Sequence, residues 1–137
     1  MENRIKDKIL EIEENLSELN ENLPDSFEEY CENSKTKAAC ERYAERIIEA
    51  TVDLAFFFIK ELGFSMPDSD EGSFRILAKN GFIPDDLAGK LSEAKGMRNI
   101  LAHEYGKVDD EIVFNALKNE LDRDVREFVG FVKKNAF

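Results

Sequence analysis

The residues best equipped for chemistry lie close together between Arg98 and Tyr105. The stretch also contains Asn99 and His103, and His103 is the only histidine among the 137 residues. Arginine supplies a permanent cation with planar donors that suit a phosphate, and histidine can act as a general acid or base near neutral pH. An asparagine can orient either group, and a tyrosine hydroxyl can donate a proton or accept a transferred group. The set suits metal-free chemistry on a phosphodiester.

Helical spacing places these side chains together, although it leaves a second interpretation open. At about 100° per residue, Tyr105 returns to nearly the angle of Arg98, and Asn99 and His103 stack on an adjacent face. Ile100 is expected to point away, into the core. In the alternative interpretation, His103 caps the end of its helix, where a positive charge is favoured, and Tyr105 only packs.

The charge of the chain limits which ligands this stretch can bind. The net charge is −11, which disfavours non-specific binding to nucleic acid. Residues 87–107, however, carry four basic residues against two acidic ones. A small phosphate-bearing ligand or a short RNA segment is therefore still compatible with the sequence.

Length and composition predict one domain over residues 1–137, in a reducing compartment. No run of about 18 apolar residues is present, so no membrane span is predicted. The first residues, Met-Glu-Asn-Arg, lack the apolar segment of a secretory signal. Cys31 and Cys40 are nine apart and fit neither zinc spacing nor a disulfide framework. We expect a cytoplasmic protein with no metal and no cofactor.

The apolar pattern predicts an all-α fold, an up-and-down bundle of about four long helices plus one or two short ones. Apolar residues recur at helical spacing, and no period-2 segment of useful length occurs. Gly63 is expected to end the longest helix, and Pro84 to be the first residue of the helix that leads into the Arg98 stretch. Long helices are predicted over 4–22, over 35–62, from Pro84 to the point at Gly106 where the chain can leave the helix, and over 110–132. A short helical turn is predicted within 25–34 and a short helix over 71–80.

The predicted helix over 35–62 carries two features that bear on the site. Around residues 56–59 its apolar residues run nearly all the way round, which predicts burial on more than one side and favours a second subunit. Asp53 interrupts this apolar run, and if buried it needs a partner. Arg98 is one candidate partner, and whether Asp53 or Glu49 reaches the Arg98 stretch stays open.

Residues 97–105, Met-Arg-Asn-Ile-Leu-Ala-His-Glu-Tyr, resemble the Arg-X4-His-X-Tyr signature of the HEPN superfamily, in particular its HepT-like branch. The similarity extends to residues 47–63, 74–84 and 108–109, and so covers essentially the whole chain. The resemblance implies a helical bundle that forms a homodimer, with the two motifs facing one another across a cleft.

The resemblance also implies a function and roles for individual residues. The implied activity is that of a metal-independent endoribonuclease, the toxin of a toxin–antitoxin pair, with RNA as substrate. Arg98 and His103 would be catalytic residues, and Asn99 would support them. Asp53 would be a second supporting residue if it reached them. The implied partner is an MntA-like nucleotidyltransferase antitoxin that transfers AMP groups to Tyr105. Two alternatives stay open, namely a non-catalytic nucleotide-binding or substrate-presenting partner of a nucleotidyltransferase, and a structural dimer whose motif only packs.

Overall fold

The computed structural model describes residues 2–65, 70–103 and 108–136, and within these ranges the chain forms helices and their connections but no strand. The all-α prediction is confirmed. None of the helices in these ranges combines the length and the apolarity that crossing a bilayer requires. The seven helices are α1 (Glu2–Asn22), α2 (Phe27–Glu32), α3 (Ser34–Leu62), α4 (Asp70–Lys79), α5 (Asp85–Ala102), α6 (Asp110–Asn119) and α7 (Leu121–Ala136).

Helix α3 is the central element of the bundle. Its 29 residues contain neither Gly nor Pro, and α1, α2, α4, α5 and α7 all pack against it. The amides of Lys35 and Thr36 donate to the side-chain oxygen of Asn33 at 3.1 and 3.0 Å, which caps the start of the helix. Gly63 ends it with a φ of +82°, a left-handed conformation that glycine adopts without steric cost. Both predicted ends are confirmed.

The apolar stripe of α1 forms one side of the core against α3. Its spacing of three and four residues keeps these side chains on one helix face, so all of them can be buried together. The apolar spacing predicts a stripe that continues to Leu23, and Leu23, just after the helix, is only partly buried. The stripe residues within α1 are each at most 4% exposed, namely Ile5, Ile9, Ile12, Leu16 and Leu19.

Helix α5 carries the candidate site and packs on α3, α4 and α7. Pro84 lies at the N-cap, with a ψ of 151°, so it precedes the helix and is not its first residue as predicted. Leu87, Leu91 and Leu101 are buried and hold the helix on the bundle. The prediction for Ile100 is wrong. Its side chain is 51% exposed, because the helix turns it towards an open groove beside α6.

The last predicted helix is two helices in the structure. Glu120, with a φ of −125°, ends α6. Its carbonyl accepts a hydrogen bond at 2.9 Å from the backbone amide of Asp124, in the first turn of α7. The break allows α6 to pack on α2 while α7 packs on α1, α3 and α5. Leu117 and Leu121 are buried on the two sides of the break. Tertiary packing therefore overrides a continuous helical pattern.

Candidate active site

The last turns of α5 bring Arg98 and Asn99 into one hydrogen-bonded cluster with residues that flank them. One terminal nitrogen of Arg98, Nη2, donates to the carboxylate of Glu49 on α3 and forms an ion pair with it. The other, Nη1, donates to Oδ1 of Asn99 at 3.3 Å, and Nζ of Lys95 donates to the same oxygen at 3.2 Å. The Arg98 side chain is 23% exposed. The guanidinium is thus held in place by α3 and by its own helix.

An open cavity of about 280 Å³ lies against this cluster. Its size is close to the lower end of the range for ligand pockets, roughly 300–1,000 Å³. Two cations that could contact a phosphate meet two carboxylates there. Its lining residues are Glu49, Val52, Asp53, Phe56, Lys95 and Arg98.

The pairing of Asp53 with Arg98, which the sequence left open, is not present in the structure. The Asp53 carboxylate is 53% exposed and lies 3.4 Å from Nζ of Lys8 on α1. Partial burial acts to lower the pKa of Lys8, but its contacts with Glu11 and Asp53 outweigh this and raise it. The partner of Arg98 is Glu49, one helical turn earlier. Asp53 lines the same cavity without contacting the guanidinium through a hydrogen bond or ion pair.

His103 is the residue at which the chain leaves α5. Its backbone amide donates to the carbonyl of Asn99 at 3.1 Å, and its φ of −123° and ψ of 34° end the helix. The helix therefore ends at His103 and does not continue to Gly106 as predicted. The side chain is exposed, and it is not among the residues that line the cavity beside Arg98. Tyr105 lies outside the described residues.

Sequence reasoning did not identify Lys95, and it left Glu49 undecided. Lys95 lies four residues before Asn99, the spacing at which side chains on a helix meet, so a signal for it was present. Glu49 and Asp53 are also four apart and share a face of α3. Only the register of α5 against α3 decides which of the two carboxylates contacts Arg98.

Most of the chain matches one family of known proteins. Residues 12–132 match the family described as Ribonuclease HepT-like. This chain belongs to the HepT-like ribonuclease family. The resemblance noted in the sequence is therefore confirmed over nearly the whole length, well beyond the nine residues of the motif.

Curated relatives with similar sequences carry HepT names. The chain is 30% identical over 89 residues to the mRNA nuclease HepT of Shewanella oneidensis, an alignment that covers 65% of this chain and 66% of that protein. It is 26% identical over 98 residues to the tRNA nuclease HepT of Aphanizomenon flos-aquae, covering 72% and 67%. The chain thus spans about two thirds of the length of these two relatives.

Solved structures share the fold of the HepT-like chain. The tri-AMPylated Shewanella oneidensis HEPN toxin, in a complex with MNT antitoxin, has a TM-score of 0.91 at 24% identity. That comparison covers 98% of this chain and 100% of the toxin chain. A toxin–antitoxin structure with AMP-PNP has a TM-score of 0.90 at 23% identity, covering 97% and 99%. The fold is that of HEPN toxins.

Proposed function

We propose that this chain is a metal-independent endoribonuclease of the cytoplasm and the toxin of a toxin–antitoxin pair, with Arg98 and His103 as its catalytic residues. The observation that carries the proposal is the Arg98 cluster in a HepT-like chain. Glu49 and Asn99 hold the guanidinium beside an open cavity, and His103 follows at the end of the same helix. Relatives named as mRNA and tRNA nucleases support RNA as the substrate.

The chemistry uses the nucleophile that RNA itself carries. A neutral His103 imidazole removes the proton of a 2′-hydroxyl, and O2′ attacks the adjacent phosphorus while the bond from phosphorus to O5′ breaks. The products are a 2′,3′-cyclic phosphate and a 5′-hydroxyl that takes up one proton. Arg98 donates to the phosphate oxygens, where negative charge develops in the transition state.

Arg98 has donor capacity for this role. Its Nε is buried and has no hydrogen-bond partner among the described residues. An unsatisfied buried donor costs about 1–3 kcal/mol, so a shift of the guanidinium towards a phosphate would gain a hydrogen bond as well as an ion pair. Lys95, which shares the oxygen of Asn99 with Arg98, adds a second positive charge to the cavity.

We infer that the active form is a homodimer, because one chain supplies one histidine. In-line cleavage places the attacking and leaving oxygens on opposite sides of phosphorus, and a second His103 could protonate the leaving oxygen. A twofold axis near the cavity would supply it and would also bring two Arg98 and two Lys95 side chains together. Half-buried Phe56, which lines the cavity, provides apolar surface for such an interface.

The proposed partner is a nucleotidyltransferase antitoxin, and Tyr105 is its proposed acceptor. The phenol oxygen of Tyr105 attacks the α-phosphorus of ATP, pyrophosphate leaves, and the phenol proton passes to solvent. The AMP group adds a negative charge a short distance along the chain from Arg98. Its phosphate would compete with RNA phosphate for the Arg98 guanidinium. The AMPylated HEPN toxin among the structural neighbours supports this assignment.

Substitution of the two catalytic residues tests the ribonuclease. Arg98→Ala and His103→Ala are each expected to lower the rate of RNA cleavage about 10²- to 10⁴-fold, measured by gel on total RNA, while circular dichroism shows an unchanged fold. Arg42→Ala is the matched control, because Arg42 is exposed and pairs with Glu45 away from the cavity. Wild-type cleavage by His103→Ala would refute the catalytic assignment. Intact RNA with the wild-type protein, together with ATP binding that requires Arg98, would support the nucleotide-binding alternative.

A further inference from the structure

An open apolar groove runs between α5 and α6, on the side of α5 away from the Arg98 cavity, and Leu121 and Asp124 of α7 also line it. Its volume is about 460 Å³. Ile112 is 65% exposed and Ile100 is 51% exposed, and among the described residues only Leu10 on α1 is a comparably exposed large hydrophobic side chain. The groove is lined mainly by Ala94, Met97, Ile100, Ile112, Val113 and Ala116.

The charged residues of the groove are mostly acidic. Glu93, Asp109, Glu120 and Asp124 line it against one basic residue, Lys90, which leaves three negative charges in excess. The Asp109 carboxylate is already engaged as the N-cap of α6. The other acidic groups surround an apolar floor without a matching number of cations.

Asp124 is the most informative of these residues, because it is buried. It is 6% exposed, and its carboxylate accepts a hydrogen bond from Nε of Arg123 at 3.0 Å, although the Arg123 side chain is itself 59% exposed. Covering the groove with an uncharged or acidic surface would remove this carboxylate further from water and would cost free energy. A partner that carries a cation to this point would instead gain a charge-assisted hydrogen bond.

We propose that this groove binds an amphipathic helix of the nucleotidyltransferase antitoxin, whose apolar face lies on Met97, Ile100 and Ile112 and carries a Lys or Arg for Asp124. The identity of the partner rests on the proposed function. A helix is the element that fits a hydrophobic channel between two helices. A second copy of this chain does not fit, because twofold pairing of the groove would bring its excess negative charges face to face.

The position of the groove suits a partner that modifies this chain. Its walls, α5 and α6, are joined by residues 103–109, and Tyr105 belongs to that connection. An enzyme docked on both walls is therefore held next to the segment that carries its acceptor. Ile100 and Arg98 are two residues apart on α5 and so point to nearly opposite sides, which separates the docking surface from the Arg98 cavity.

Exposed apolar residues on different helices allow a matched test. Ile112→Asp and the control Leu10→Asp each place a charge at an exposed position, but only the first lies in the groove. Binding to the purified cognate nucleotidyltransferase is measured by titration calorimetry. We expect Ile112→Asp to raise Kd at least roughly thirtyfold, the effect of losing an interface hot spot, and Leu10→Asp to change Kd less than about twofold.

A second variant tests the charge of the groove. Asp124→Asn keeps the shape of the side chain, and we expect it to raise Kd roughly tenfold and to weaken the dependence of Kd on salt. Circular dichroism confirms that each variant is folded. Equal Kd values for Ile112→Asp and wild type would overturn the proposal, as would a change from dimer to monomer in Ile112→Asp, since the groove would then be an interface between copies.

The outcomes also separate this proposal from the proposed ribonuclease. A wild-type chain that cleaves RNA but does not bind the nucleotidyltransferase overturns the docking proposal and leaves the ribonuclease intact. A wild-type chain that binds through the groove, but cleaves no RNA, supports docking and refutes the ribonuclease.

Discussion

The contact between Glu49 and Arg98 allows a prediction that separates catalysis from stability. Glu49 on α3 holds the guanidinium from one side, and Asn99 holds it from the other. Glu49→Gln keeps an oxygen that can accept from Arg98 but removes the negative charge. We predict that kcat for RNA cleavage falls at least roughly tenfold, because a catalytic group displaced by even about 1 Å can cost up to a hundredfold in rate.

The expected effect on stability is much smaller. The Glu49 side chain is 44% exposed and that of Arg98 is 23% exposed, so solvent screens their attraction. Ion pairs in such positions contribute about 0.2–1 kcal/mol. The melting temperature should therefore fall by no more than about 4 °C. The KM for RNA should not rise, because removing a carboxylate from the cavity strengthens its attraction for phosphate.

The assay compares kcat and KM of Glu49→Gln with those of Glu45→Gln. Glu45 lies one turn earlier on α3 and pairs with Arg42 at 3.1 Å, so this control removes the same type of ion pair without touching α5. We expect the two variants to lose similar stability, with only Glu49→Gln losing kcat. Equal kcat values for the two variants would refute the role of Glu49, as would a loss confined to KM.

Two further predictions concern the scaffold. Burial raises the pKa of the Cys40 thiol from its ordinary value near 9 to about 11, so at pH 8 it carries roughly a hundredfold less thiolate. In the native protein a disulfide reagent should therefore react quickly with one thiol, that of exposed Cys31. The Cys40 thiol should react only after unfolding or at higher pH, and two fast-reacting thiols would contradict this. Asn33→Ala removes the cap of α3 and should lower the free energy of unfolding, measured in urea, by about 1 kcal/mol. The control Asn15→Ala, in the middle of α1, should not lower it. Equal losses in the two variants would argue against the cap.

The parts of the fold that local sequence determines were predictable. The stripe of α1 follows from a regular spacing of three and four residues, and the five predicted members that lie within the helix are buried. The ends of α3 follow from a capping Asn33 and from Gly63, whose positive φ is rarely adopted by other residues. In each case the interaction lies within a few residues of chain.

The features that sequence reasoning missed depend on contacts between distant helices. No Gly or Pro near Glu120 predicts the break between α6 and α7. The break arises because the two helices pack on different neighbours. Ile100 was placed in the core because it lies beside Leu101 on a helix. Whether that side of α5 is covered depends on where α6 lies, and the two helices leave a groove there.

The residues of the candidate site also differ in whether local sequence or the packing of distant helices determines them. Residue type and spacing predict Arg98, Asn99 and His103 as site residues, because the chemistry of an arginine and a histidine is recognisable in a sequence. The partner of Arg98 could not be chosen, since Glu49 and Asp53 differ only by one turn of α3. A shift of about 5.4 Å between two packed helices would exchange them, and nothing local in the sequence sets that register.

The contact between Arg98 and Glu49 gives a reason why residue 98 is an arginine and not a lysine. Lysine carries its three donors on a single nitrogen at the end of a flexible stem, so a lysine bound to Glu49 would not hold a further donor in a fixed orientation. Arginine has three nitrogens in a fixed plane. In this chain Nη2 binds Glu49, Nη1 binds Asn99, and Nε has no partner among the described residues. The same side chain can therefore stay anchored to α3 while it turns a donor towards a substrate, so the anchor and the proposed catalytic role do not exclude each other.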